Sequence, residues 1–411
     1  MQSKKPLEEK LHAEEAIVER EAEAEACTTS EVVLMRKLDL LVRTGTILME
    51  SNADCSRIMR NMERCEAFLG LPADNVHIFL NYNIVMVNLS DNCHSFSKYR
   101  RCRRHNIEFT IVSKVSNMLW TAIKEDWSLD RYEAELEALN HVKKNYTPWT
   151  IAVAAGLACG GFCVQFGCDW PSFFYASFAA IIGFRLKMWF AQLHWNGYVG
   201  IAISAFAATI LAWLMSLISL YPTLSAMVPQ FMHSATPYHP LMACTLFIVP
   251  GVPLINFVSD MISDYVQVGL TRAITTLMMV LAMSFGIVLA IQICHIDNFV
   301  KDLDMTPHNS YIDYAIAAAI SAMGFSTIYN TPRRILPVLA VTGIIAVCTR
   351  NFVNLGPSNH NIGLDQGIII GSFVGSALVS LIATKSAHWH HIPHQVIAIP
   401  SVIPMIPGVL L

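Results

Sequence analysis

From residue 148 to its end the chain carries eight Lys/Arg and eight Asp and not one Glu, whereas residues 1–147 hold 20 Lys/Arg and 23 Asp/Glu. A stretch that poor in charge falls into apolar windows, and a hydrocarbon core of roughly 30 Å takes about 20 residues of helix to cross. Nine windows read as spans: 148–168, 170–190, 196–220, 239–258, 271–295, 311–330, 334–351, 365–384 and 393–411. The first part can fold in water and the second cannot. The net charge of −3 therefore says nothing about partners, because it averages over two phases.

The apolar part also says one thing twice. Ile248-Val249-Pro250-Gly251-Val252-Pro253-Leu254 returns as Ile403-Pro404-Met405-Ile406-Pro407-Gly408-Val409-Leu410, about 160 positions later. Upstream of each copy stand a Gly-Phe pair (Gly161-Phe162, Gly324-Phe325) and a further glycine (Gly183, Gly343). Paired Pro/Gly interruptions at matching places in two halves point to the binding site of a secondary transporter. Five spans in the first half put the start of the second on the opposite face, so the halves read as inverted repeats, 148–296 and 306–411. The second copy stops early, and a tenth span is expected to be missing from this chain. The rival reading is that the Pro-Gly pairs only kink packed helices.

Charge placement gives the orientation. With the amino end inside, Arg185, Lys187, Arg272, Arg333, Arg334 and Lys385 fall in cytoplasmic breaks, against Lys301 and Arg350 outside, which is the bias of the positive-inside rule. The first 26 residues show no apolar run of the kind a signal peptide carries. Residues 1–147 are thus expected in the cytoplasm, where disulfides are not favoured. Cys159, Cys163, Cys244 and Cys348 sit in apolar windows and read as small buried hydrophobes.

An acidic Glu/Ala-rich tail occupies 1–31, and 32–147 reads as a cytoplasmic α+β domain. Val32–Ser51 has apolar residues at helical spacing, Asp54–Leu69 forms a second helix, and Gly70-Leu71-Pro72 stops it. Val76–Leu80, Ile84–Leu89 and Phe96–Cys102 alternate as a small three-stranded sheet. Helices follow at 107–124 and 128–145, the latter capped by Ser128. Arg57, Arg60 and Arg64 share one helical face and suit a carboxylate or lipid phosphates, or a solvated face paired with Glu63 and Glu50. Arg100-Arg101-Cys102-Arg103-Arg104 can lie on anionic headgroups; nucleic acid is excluded as a partner, since no aromatic platform accompanies the run.

Asn256, Asp260 and Asp264 are spaced i, i+4, i+8 on one helical face. A charge at mid-bilayer costs about 2.5–3.5 kcal/mol on insertion scales, so such residues face cavities and mark ion or substrate pathways. They can instead cap the fifth span from outside the membrane, balanced by Arg272. His388, His390, His391 and His394 crowd one loop and read as interfacial packing or, alternatively, a metal site, whereas Cys93, His94, Cys102 and His105 lack a convincing zinc spacing. With no His-Glu-x-x-His run and no Gly-x-Ser-x-Gly elbow, enzymatic chemistry is not expected.

The pattern Gly45-x-x-Leu48-x-x-x-Asn52-Ala53-x-x-x-Arg57, continuing to Arg64 and Leu69-Gly70, resembles the cytoplasmic domain of the bacterial threonine/serine exporter family. Pro250-Gly251 with Asn256, Asp260 and Gly269-x-x-Arg272 is similar to that family's first-repeat signature, and Pro332-Arg333-Arg334 with Ile403-Pro404 and Pro407-Gly408 to its second. The departures are Asn52 where a Gly is usual, the extra Pro253, and the absent tenth span. The resemblance covers nearly all of 32–411 and implies an inner-membrane, proton-coupled exporter of threonine and serine, with its amino end in the cytoplasm. In relatives split over two polypeptides it implies a dicarboxylate such as succinate. It implies no cofactor and no metal, and leaves a homo-oligomer open; membrane lipids and protons are the remaining partners. The functional rivals of another class are a channel and a passive membrane scaffold.

Overall fold

The computed structural model describes residues 31–90, 94–296, 309–357 and 362–405. The stretch 1–30, Lys301, Cys93 and the Pro407-Gly408 pair lie outside the described residues.

Helix α1 (31–50) buries Leu38, Leu41 and Leu48, the residues whose spacing predicts it. Helix α2 (Cys55–Leu69) begins at Asp54, whose Oδ1 accepts the Arg57 amide at 3.1 Å, and ends at Gly70 in the left-handed conformation, φ 62°. Between them the chain reverses through Asn52, also left-handed at φ 60°. Strands β1 (Val76–Asn81), β2 (Ile84–Ser90) and β3 (Ser95–Arg101) form an antiparallel sheet in that order, with Val76 opposite Leu89 and Ile84 opposite Arg101. Alternation on β2 sends Val85, Val87 and Leu89 inward against α1 and α2. Gly45 makes that packing close: a Cβ there would stand 2.5 Å from Met62 Sδ and 3.1 Å from Val85 Cγ1. Helices α3 (Phe109–Glu125) and α4 (Leu129–Asn140) complete the unit. Ser128 caps α4 as expected, accepting from Arg131 N at 3.3 Å, but α4 stops at Asn140 rather than 145. Arg36 and Arg43 of α1 tie it to Glu133 of α4.

The apolar part folds into α5 (Pro148–Gln165), α6 (Trp170–Gln192), α7 (Gly197–Leu220), the short α8 (Pro222–Ser225) and α9 (His239–Ala243), then α10 (Gly251–Ile262), α11 (Val266–Ile293), α12 (Tyr311–Ile328), α13 (Leu336–Asn354), α14 (Ile368–His390) and α15 (His394–Val402). Seven of these are long and apolar enough to cross a membrane, eight if a bent pair counts as one span. The window expected at 239–258 is that pair: 239–248 and 251–262 meet at 59°. Pro250 sits at the corner and has no N–H to continue the first helix. The ninth window is described only to Met405, where 394–405 is a short apolar helix. Leu277, Leu281 and Phe285 on α11 and Ile369, Phe373 and Leu381 on α14 are each more than half exposed. An apolar surface of that extent is what lipid, not water, covers.

Helix α5 lies at the centre, and it can because it is built of small residues. Gly156 and Gly160 face α6, and Gly161 faces α12, where a Cβ would stand 2.7 Å from the Ala317 carbonyl. Gly324 of α12 returns the contact, with Ala154 O at 2.6 Å from such a Cβ. The neighbouring rings of the two Gly-Phe pairs meet edge to face, Phe162 against Phe325 at 5.5 Å between centroids. Backbones that approach this closely gain dispersion that larger residues would forbid. Cys159, Cys163 and Cys244 are buried, whereas Cys348 is only half-buried.

Gly324→Ala should therefore cost about 1–3 kcal/mol by overpacking, seen as earlier thermal unfolding of the detergent-purified protein. Gly197→Ala, at a position with open space around it, should unfold within about 0.5 kcal/mol of the parent.

Candidate functional site

The residues singled out at the α1–α2 turn and those singled out on α10 and α11 meet. Arg272 is 1% exposed and Asp260 fully buried, with Nε 3.0 Å from Asp260 Oδ2. The rest of the guanidinium goes to the turn: Nη1 donates to Asn52 Oδ1 at 2.7 Å and Nη2 to Ala53 O at 2.7 Å, while Tyr82 offers its ring at 5.6 Å. Asp260 Oδ1 accepts the Cys55 amide at 2.7 Å, and Asn256 Nδ2 donates to Asn52 O at 2.8 Å. The left-handed turn at Asn52 is what exposes these carbonyls to Arg272. A planar five-donor cation suits such a cluster, since each buried charge keeps a partner.

A second clasp runs through Asn330, also left-handed at φ 53°. Its Oδ1 accepts the Asn145 amide at 2.9 Å and its Nδ2 donates to Glu108 Oε2 at 2.8 Å, while its carbonyl accepts from Thr110 Oγ1. Tyr146 OH donates to Thr331 O at 2.8 Å. A third contact joins Arg57 Nε to Gln395 Oε1 at 2.8 Å. All three bind the same end of the helical layer to the helix-and-sheet part.

Between these contacts lies a cavity of about 380 Å³, and the Val249-Pro250 corner forms part of its wall. Lys187 of α6 lines it; apart from the Phe247 ring, 5.9 Å from Nζ, it has no ion pair or hydrogen bond among the described residues. Glu108, held by Lys144 at 3.3 Å, lines the side toward the sheet, and Phe325 and Tyr329 the other. Gly251 faces the second signature, since a Cβ there would touch Ile403 Cγ1 at 3.0 Å. Pro404 lies in the adjoining turn, where its carbonyl is 3.5 Å from Arg350 Nη1. Pro253 falls in the first turn of α10, where a missing N–H costs little. At the far end of the layer, Asp169 takes the Ser234 hydroxyl at 2.9 Å and the Ala235 amide at 2.6 Å, which ties that loop down.

Asn256 and Asp260 do not reach into this cavity; they turn to the Asn52–Cys55 segment instead. Asp264 leaves their face altogether, because α10 ends at Ile262 and Asp264 sits exposed in a left-handed turn. Arg57 is 7% exposed rather than on a solvated face, and neither Glu63 nor Glu50 pairs with Arg57, Arg60 or Arg64 among the described residues. No group of three His, Cys, Asp or Glu side chains fit to hold a metal occurs among the described residues. Lys187, Glu108 and Asn330 escaped the reading by motif. A lone Lys four residues past Gly183 was visible, but it counted only toward orientation.

Removing one partner of a buried pair costs about 3–5 kcal/mol because the other charge is stranded. Asp260→Asn should therefore lower the thermal midpoint markedly, and Arg272→Met likewise. The double variant should recover part of the loss, and a cycle showing no coupling between the two sites would remove the pair from the junction.

Two family comparisons cover most of the chain. Residues 39–294 match the family described as "ThrE: Putative threonine/serine exporter", and residues 314–411 match "Threonine/Serine exporter, ThrE". The "Probable succinate transporter subunit YjjP" of Escherichia coli (strain K12) is 26% identical over 254 residues, 62% of this chain and 93% of that protein. Its namesake in Klebsiella aerogenes is 24% identical over 251 residues, 61% of this chain and 91% of that one. No solved structure shows a significant match. The first match alone spans more than half of the sequence, and the chain belongs to the threonine/serine exporter family.

Proposed function

We propose that this exporter moves a small carboxylate-bearing metabolite through the cavity beside Pro250, with Lys187 holding the carboxylate. The observation that carries the reading is one unpaired ammonium in a 380 Å³ space walled by a proline-broken helix. Unwound backbone in a bilayer must find partners for its N–H and C=O groups, and a polar substrate supplies them. Threonine or serine would set its ammonium toward Glu108 and the carbonyls at the break. A dicarboxylate such as succinate is the second reading, favoured by the absence, among the described residues, of any unpaired carboxylate facing Lys187 and by the names of the split relatives.

The proton gradient would drive export: a proton entering down about 150 mV delivers ~3.5 kcal/mol, enough for a gradient of a few hundredfold. In this scheme Asp260 is the proton's station. Protonation would strip Arg272 of its counter-charge and loosen its hold on Asn52 and Ala53, so the proton acts on the junction rather than on the substrate. The halves would rock as inverted repeats about the α5–α12 contact, where Gly161-Phe162 meets Gly324-Phe325. In this scheme the cavity would open on the side that the helix-and-sheet part floors, while the Asp169 contacts hold the far end together. That part would lie in the cytoplasm, beneath a bacterial inner membrane.

Counterflow into proteoliposomes with labelled threonine, serine and succinate tests the substrate. Lys187→Gln should raise the half-saturating concentration about tenfold or more, the usual worth of a hydrogen bond to a charge. Unchanged transport by this variant would move the site elsewhere. Orientation is checked by single cysteines: 221–238 should react from outside, and 185–195 and 385–392 only from inside. The opposite pattern would overturn the inverted arrangement too.

A further inference from the structure

A second, smaller cavity of about 230 Å³ lies where α2 and α3 meet the end of α14, well away from Pro250. Its lining is cationic, with Arg57, Arg64, His388 and His391 and not one Asp or Glu. Arg57 is more than nine-tenths buried. It gives Nε to Gln395 and sets Nη2 3.5 Å from His394 Nδ1, and among the described residues its one ion-pair partner is Asp54 at 3.6 Å. Nη1 has no hydrogen-bond partner among the described residues. Burial first, and then the charges of Arg60 and Arg64, pull this guanidinium down to about 10 against the opposing effect of Asp54, so it remains cationic at neutral pH. The Arg64 guanidinium rests over the Trp120 ring at 4.7 Å. Trp120 is 57% exposed and Trp389, beside His388 at the end of α14, is 76% exposed. Trp389, exposed at the end of a span, stands where tryptophans mark the headgroup level of a membrane.

We propose that this cavity is an anion site for a phosphate group, with Arg57 and Arg64 as its donors and His388 and His391 at its mouth. Arginine forks match phosphate oxygens in pairs, and two guanidinium groups set against the single carboxylate of Asp54 keep a surplus positive charge until an anion enters. The phosphate can belong to an anionic lipid headgroup or to a free phosphate monoester. Either would bridge the helix-and-sheet part to the last spans, since Arg57 and Arg64 come from α2 and the histidines from the α14 end.

Trp120 reports the event, because a phosphate that engages Arg64 changes the charge above the indole. The full-length protein is placed in phosphatidylcholine nanodiscs and in nanodiscs containing phosphatidylglycerol, and inorganic phosphate is titrated into the first. The signal is the emission difference between the parent and Trp120→Phe. A shift in the phosphatidylglycerol discs alone assigns a lipid headgroup, and a saturable shift with phosphate assigns the free anion. In either case Arg64→Ala with His391→Gln should weaken it at least tenfold. His388→Gln with His391→Gln, both exposed positions, gives a second reading should Arg64→Ala disturb folding. No shift in either medium, or a shift that survives both variant pairs, overturns the site.

Discussion

The junction between the two parts of this protein depends on one buried ion pair. Asp260 and Arg272 come from successive helices of the apolar part, and each also reaches across to the α1–α2 turn, Asp260 to the Cys55 amide and Arg272 to Asn52 and Ala53. Two ions withdrawn from water lose several kcal/mol each unless their remaining donors and acceptors are met. Here they are met by a foreign segment, so the pair is comfortable only when the helix-and-sheet part is docked. That makes docking and burial one event. It also explains why Asn52, not an apolar residue, occupies a turn that is 4% exposed: Asn tolerates the left-handed backbone and brings a side-chain carbonyl to Arg272.

Docking in turn shapes the cavity. The floor beside Pro250 is made by the 105–108 segment and Lys144 of the helix-and-sheet part, which the Asn330 clasp holds in place. Without that part the proline-broken corner would face open solvent on this side. The helix-and-sheet part is thus a wall of this cavity, and Asn52, which Arg272 holds, is one of its lining residues.

Much of the architecture was legible in the chain. Period-2 alternation in Val85, Val87 and Leu89 and the Ser128 cap name their elements through local rules that tertiary contacts did not override. The repeated Pro-Gly signature located the broken helix. What could not be read was which polar groups pair. The i, i+4, i+8 spacing put Asn256, Asp260 and Asp264 on one face, but the left-handed residue at Asp264 ends that face one turn early. Arg272 lay twelve positions from Asp260 with a turn between them, and nothing local says that the turn folds α11 back on α10. The docking of Asn52 against both spans more than 200 residues and leaves no periodic trace.

The cations of the apolar part sharpen the argument about cargo. Arg272 has Asp260; Arg185 lies over the Trp149 ring at 4.6 Å and Arg333 over that of Tyr146 at 5.4 Å. Arg334 and Lys385 lie toward the end of the layer that the helix-and-sheet part covers. Among the described residues only Arg272 of these seven cations has a carboxylate partner, and two of the other six stand beside a repeated signature: Lys187 in the cavity walled by Pro250, and Arg350, 3% exposed, at the Pro404 carbonyl. Arg350 falls near the end of α13 that points away from the helix-and-sheet part, Lys187 near the end of α6 that points toward it. A carboxylate passing between the two faces would therefore leave one cation and approach another, Lys187 beside the broken helix at Pro250 and the buried Arg350 beside the Pro404 carbonyl. An ammonium-led substrate would meet the reverse, because among the described residues Asp260, Glu108 and Asp169 are already engaged.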